Sequence, residues 1–435
     1  MSQSSGEENV AVRWTALVLL VVGIAVALAP DAALAQTKLT WWEQANPPEN
    51  EYARELASRW NRANPNATVT HEAFPMTPFF KKLTVAISTK TAPDLFRLTD
   101  FLLPGLVEKN GVAALNPQWL GYPSLDAMKA AYLPGTLNGY IYDGKLYAVP
   151  VYAQTMSLYI NRRHFEEAGL DADKDYPRTW ADVARVGKRL MKVEGDRIVR
   201  EGFKFAMISS TWTLMQGEPI LHQFGASILD PPGKKCVVNS EAGVRAMRLR
   251  ASFALEHKIE DPTVTQATNP LPANDLAMGR VSMFITHPGS VAQFGPEKMK
   301  DLKVVPHPRL EADKPNAITY GFALAMNNDL SPERQKVIHE LMRFVTRDAK
   351  EWLDRVGTIN PFRNVLEIPG VKNRPYIDVF VGDISAGQPM TRSPHFLEIA
   401  DAMHRAVQRI VLNRVDVKRS LDQACQEIDQ ALSKS

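Results

Sequence analysis

The sequence predicts an α/β protein of two lobes with a cleft between them, and three observations carry the prediction. Strands and amphipathic helices alternate over residues 38–110, the pattern of a largely parallel sheet flanked by helices. Two apolar strands then follow one another with no helix between them, Leu146 to Tyr152 around Pro150 and Met156 to Ile160. Such a join suits a chain crossing between two rigid bodies, and bodies joined by extended crossovers can close on a small molecule. The length, 435 residues, is enough for two or three domains of ordinary size.

The elements follow in order. Lys38 to Trp42 is a β-type run, Pro47-Pro48 break the chain, and Glu49 to Asn64 shows helical spacing through Tyr52, Leu56 and Trp60. Asn64-Pro65-Asn66 ends that helix, and Ala67 to His71 is the next strand. Thr77 is expected to cap a helix from Pro78 to Thr89, with proline at its first position. Pro93 to Phe96 reads as a strand and Thr99 to Lys109 as a helix stopped at Asn110-Gly111, and Asp143-Gly144 is a hairpin-turn dipeptide. Asn161 caps a short helix ending at Gly169. Thr179 caps the next, with Asp182 as an approximate capping box. Gly279-Arg280 ends a helix before a strand from Val281 to Phe284, and Ile318 to Met326 is the expected second crossover. Ser331 caps Pro332 to Thr346, and Asp348 starts another helix. Phe396 to Asn413 and Val417 to Leu432 read as amphipathic helices broken at Arg414-Val415-Asp416.

The composition is 45% apolar and 23% charged, so a sizeable core is expected. A net charge of +3 is too even to point to nucleic acid or acidic lipid. Trp14 to Ala29 is an apolar stretch, and Ala33-Leu34-Ala35 supplies an A-x-A site before Gln36. Residues 1–35 therefore read as a secretory signal cleaved after Ala35, too short for a span of roughly 20 apolar residues. An uncleaved anchor is the alternative, because only Arg13 is basic before the run while Glu7 and Glu8 are acidic. No cysteine stands near the cleavage point, so a free periplasmic protein is expected, not a lipid-anchored one. Cys236 and Cys425 are the only cysteines. An exported protein can hold a disulfide; two separately buried thiols are the other reading.

Asp143-Gly144-Lys145, Tyr147 and Pro150 form a strand signature. Tyr159, Asn161, Arg162-Arg163, Phe165 and Ala168-Gly169-Leu170 form a strand-helix unit, and Pro177 with Thr179-Trp180 a helix start. Together they resemble the extracellular solute-binding proteins of ABC importers, in particular the carbohydrate-binding family that includes maltose-binding protein. Ile160 splits that family's tyrosine-asparagine pair. Trp41, Trp60, Asn61, Asn64-Pro65, Lys82-Leu83, Ile87 and Ala92-Pro93-Asp94 with Phe96 match its first lobe. The resemblance runs from about residue 38 to the C-terminus. It implies a type II periplasmic-binding-protein fold, each lobe a mixed sheet flanked by helices. The N-lobe would take residues 36–151 and 325–388, the C-lobe 152–324 and 389–435, with crossovers near 150–155 and 318–325. It further implies a monomer that captures a sugar by lobe closure and delivers it to membrane permease subunits.

A sugar site needs flat apolar faces for the ring and carboxylates or amides for the hydroxyls. Those groups should stand at strand ends, crossovers and helix starts. Trp42, Glu43 and Gln44 follow the first strand; Glu43 or Gln44 either touches ligand or belongs to a solvated loop or cap, and one of Trp41 and Trp42 is core. Asp100 follows the third strand, as a hydroxyl acceptor or as a helix-start carboxylate. Tyr152 and Gln154 stand in the first crossover, at ligand or in hinge packing. Trp212 is the stacking candidate, with core burial as its alternative, and Glu218 lies on the same helix. Gly289 offers a backbone amide where many relatives carry a tryptophan, a departure that counts against a maltose-type ligand. Tyr320 lies in the second crossover, and Arg363 either reaches an oxygen-rich ligand or makes a surface ion pair.

No G-x-S-x-G elbow, P-loop or C-x-x-C pair is present, and His339-Glu340 lacks a second zinc histidine. No enzyme activity, catalytic residue, metal or cofactor is expected. Two other functions stay open. A carbohydrate-active hydrolase would need two carboxylates facing a cleft, from Glu43, Asp100 and Glu218. A binding protein for a polyol phosphate such as glycerol phosphate would need convergent basic groups, and only Arg97 and Arg363 suggest themselves.

Overall fold

The computed structural model describes residues 36–262, 272–311 and 317–434; the expected signal segment lies outside them. The first lobe is built on strands β1 (Thr37–Gln44), β2 (Ala67–Phe74) and β3 (Leu95–Thr99), parallel to one another with β1 in the middle. Helices α1 (Pro47–Ala63) and α2 (Met76–Ser88) connect them. On α1, Tyr52, Leu56 and Trp60 are buried at the expected helical spacing. The strand after Pro93 runs on to Thr99, so Asp100 opens a single 3-10 turn before α3 (Leu103–Glu108). Thr77 lies inside α2, which starts at Met76 behind Pro75.

Strand β4 (Ala148–Thr155) is buried at every position and belongs to the same sheet. Only Met156 separates it from β5 (Ser157–Asn161), the middle strand of a second, three-stranded sheet. Helices α4 (Arg162–Glu167), α5 (Trp180–Leu190), α6 (Ser210–Gln223) and α7 (Glu241–Leu255) follow. Asn161 accepts from the His164 amide at 3.2 Å, and Thr179 with Asp182 forms a complete capping box. Strands β6 (Met283–Thr286) and β7 (Leu302–Val305) pair antiparallel to β5 on either side, with α8 (Ser290–Met299) between them.

Strand β8 (Ile318–Met326) returns to the larger sheet and pairs antiparallel with both β3 and β4. Its sheet membership is complete, so the second change of sheet falls between Val305 and Ile318. Then come α9 (Pro332–Thr346), α10 (Ala349–Val356), α11 (Ile377–Ala386) and the short β9 (Gln388–Pro389), which pairs with β8. The chain crosses a third time through residues 390–395 into α12 (Phe396–Val411) and α13 (Val417–Leu432). Both pack with α7 in the second lobe, and α12 also lies along α6. Cys236 and Cys425 form a disulfide with Cα atoms 5.1 Å apart, fixing α13 to the loop before α7.

Candidate functional site

The ends of β1 and β3 face the start of α6 across a space of about 960 Å³, open solvent included. Gln44 and Thr99 stand on the first-lobe side, with Phe322 of β8; Trp212 and Met215 of α6 stand opposite. Lys81 and Asp401 are exposed charges on its border. Trp212 is half-buried, its ring lying nearly parallel to Phe284 at 6.3 Å. Ser209 caps α6 by accepting from the Trp212 amide, which fixes the tryptophan's backbone at the cleft edge. Gln44 Oε1 and Thr99 Oγ1 are buried and have no hydrogen-bond partner among the described residues.

A second space, of about 610 Å³, lies under the crossovers, bordered by Asp100, Tyr152, Tyr320 and Arg392. In sequence the two spaces adjoin at Thr99–Asp100 and at Gly321–Phe322. Gly321 leaves room for Tyr140: a Cβ there would force the Tyr140 hydroxyl to shift and would crowd the Tyr152 carbonyl. Asp100 accepts from Arg392 at 2.9 Å; burial outweighs the guanidinium and leaves its carboxyl above the usual range. Tyr320 donates to Gln154 at 2.8 Å, joining β8 to β4 below the cleft.

Several expected contact residues are engaged inside the protein. Glu43 is fully buried, held 2.7 Å from Arg97 Nε and accepting from Asn50 at 2.5 Å. Burial alone would raise its pKa, but Arg97, His71 and Asn50 together outweigh that and hold it below the ordinary value. Arg97 also pairs with Glu49, and its guanidinium donates to the Tyr152 hydroxyl at 2.7 Å. That hydroxyl in turn donates to Glu49 at 2.9 Å. Arg97 borders neither space, and the Tyr152 hydroxyl is engaged on both sides. Trp42 packs edge-on to Phe74 with the Lys82 ammonium over its ring, and Trp41 is core. Glu218 is buried and accepts from both the amide and the hydroxyl of Thr391. Gly289 is buried beside His287 and borders neither space. Arg363 is exposed and donates to the Ala130 carbonyl at 2.8 Å.

The structure thus brings Gln44 and Trp212 to one cleft and Asp100, Tyr152 and Tyr320 to the space below it. Sequence reasoning did not single out Thr99, Thr391 or Arg392. The change of lobe expected at 388–389 was the available signal for the last two, since residues beside a crossover stand close to a cleft.

Two sheets linked by crossovers, with polar and aromatic side chains bordering a cleft, suit a solute-binding protein. The chain matches the bacterial extracellular solute-binding protein family over residues 44–352 and belongs to it. It serves an ABC importer by binding a small solute, and the family is a non-enzymatic class. A putative binding protein of Brucella abortus (strain 2308) is 24% identical, with 97% of this chain and 99% of that one covered. Among solved structures, a Thermotoga lettingae solute-binding protein bound with α-D-tagatose superimposes with a TM-score of 0.78. It shares 20% identity, over 91% of this chain and 100% of that one. UgpB from Mycobacterium tuberculosis, in complex with glycerophosphocholine, gives 0.77 at 18% identity, covering 91% and 98%. At these identities the structural likeness establishes the fold.

Proposed function

We propose that the chain, exported by removal of residues 1–35, captures a sugar or oligosaccharide as a monomer in the periplasm. Lobe closure buries the ligand for transfer to the permease. In this reading β1 to β4, β8 and β9 belong to the first lobe, and β5 to β7 with α12 and α13 to the second. One observation carries the reading: Gln44 and Thr99, each with a buried side-chain oxygen that has no partner among the described residues, border the same cleft as the half-buried Trp212. Buried polar atoms are nearly always paired. A polyhydroxylated ring supplies hydroxyls to those atoms while its apolar face lies on Trp212. The tagatose-bound relative supports this class of ligand.

A polyol phosphate is the second reading. It is favoured by Arg392, whose Nε is buried without a partner among the described residues, and by the glycerophosphocholine-bound relative. Arg97 does not support it, since it borders neither space. A thermal-shift screen of residues 36–435 against sugars, polyols and polyol phosphates separates the two. A ligand at 100-fold over its dissociation constant stabilises by about 2.7 kcal/mol. A sugar hit that Trp212→Ala abolishes supports the first reading. Flat curves for sugars with a hit among phosphates, lost in Arg392→Gln, replace it with the second.

A further inference from the structure

We propose that Glu218 is a positioning residue of the hinge: it fastens the third crossover to the second lobe through Thr391 and releases it as the medium turns from acid to alkaline. The inference needs no bound solute and holds whichever ligand the cleft takes.

Two consecutive residues of the crossover are gripped from opposite lobes. Arg392 donates to Asp100 of the first lobe at 2.9 Å. The Thr391 amide donates to Glu218 of α6 at 2.7 Å, and the Thr391 hydroxyl donates to the same oxygen. Any rotation of one lobe against the other must turn about this segment or break one grip. Glu218 has no exposed surface, and its second oxygen has no partner among the described residues.

The charged surroundings are few. On α6 itself, His222 Nε2 is 3.9 Å from the carboxylate, and burial lowers its pKa to about 4, so it is neutral near pH 7. From the crossover, Arg392 faces Glu218 but is shared with Asp100. From α12, His404 bonds Thr213 at 2.7 Å, and Asp401 is exposed at the cleft border. From α7, Arg245 lies over Phe224 just beyond the far end of α6. On β8, Tyr320 is the one ionisable side chain.

Burial pushes the Glu218 carboxyl up to about 7, against the lowering effect of Thr391 and Arg392. Protonated, it stays in its dry site and holds Thr391. Ionised, it is a desolvated anion without a cation of its own, and an arrangement that exposes it to water gains. Its pKa in such an arrangement returns towards the ordinary carboxylate value, so proton binding favours the fastened state and alkaline pH the released one.

The test is hydrogen exchange at the Thr391 amide, with small-angle scattering of the unliganded protein, from pH 5.5 to 8.5. After correction for base-catalysed exchange, wild-type protection should fall by up to about tenfold per pH unit from pH 5.5 to the Glu218 midpoint near 7 and level off above it. The radius of gyration should change over the same range. In Glu218→Gln the amide oxygen can still accept both Thr391 bonds but cannot ionise, so both traces should be flat. Thr391→Val removes one bond that lowers the Glu218 pKa and should move the midpoint upward; it serves also if Glu218→Gln does not fold. Constant wild-type protection, a Glu218→Gln response like wild type, or an unmoved midpoint in Thr391→Val would each overturn the proposal.

Discussion

Glu43 and Gln44 are neighbours on β1, yet they belong to two different kinds of polar environment. Successive residues of a strand point to opposite faces, so Glu43 enters the first lobe while Gln44 reaches the cleft. Inside the lobe, Glu43, Arg97 and Glu49 meet with the Tyr152 hydroxyl, and each charge has a partner of opposite sign. At the cleft, Gln44 Oε1 and Thr99 Oγ1 have none among the described residues. A buried polar group that is answered within the chain supports the fold. One that is not answered and also borders the cleft, as at Gln44 and Thr99, is open to a solute.

Removing the centre of the interior cluster should have the largest effect. Arg97→Ala leaves Glu43 and Glu49 buried without their cation, and breaking such a buried pair costs about 3–5 kcal/mol. Urea unfolding should show a loss of that size. A variant as stable as wild type would mean that the carboxylates take protons or water without penalty, and the contrast between the two environments would fail.

The next effect is a pH slope in stability. Glu218 has its folded pKa raised from 4.5 to about 7. Its contribution is fully present below the unfolded value and is lost as pH rises through the folded one. The loss is about 3 kcal/mol across that window, at 1.36 kcal/mol per pKa unit. Glu218→Gln should remove this part of the slope. Glu201, also raised to about 7 by burial against the opposing pull of Lys204, keeps its own part. The variant's slope should therefore fall without vanishing, and a slope equal to wild type would show that Glu218 does not titrate in this window.

Much of the fold was legible because its signals are local. The Thr179–Asp182 capping box, the Asn161 cap and the break before α13 are each encoded by a few adjacent residues. The site was less legible because its chemistry depends on pairings across long separations. Glu43 looks like a ligand carboxylate until Arg97 is known to reach it, and Glu218 until Thr391 is. Nothing near Asp100 in sequence announces Arg392, and nothing near Cys236 announces Cys425. Trp212 was recoverable because a capped helix start facing a cleft is a local feature.

Two substitutions at the cleft give the smaller effects and sharpen the contrast most. Trp212→Ala should weaken binding of the cognate sugar by about tenfold to a hundredfold, the worth of a lost stacking face, as measured by titration calorimetry. Gln44→Leu should cost affinity of roughly fivefold, about one neutral hydrogen bond. The two variants differ in what they do without ligand. Gln44→Leu removes a buried oxygen that has no partner among the described residues, so the unliganded form should be as stable as wild type or slightly more so. Glu43→Gln, one residue earlier, should do the reverse, weakening the unliganded fold while leaving sugar affinity unchanged. If both substitutions alter affinity alike, the polar groups of β1 act as one network, and Glu43 takes part in binding through Gln44.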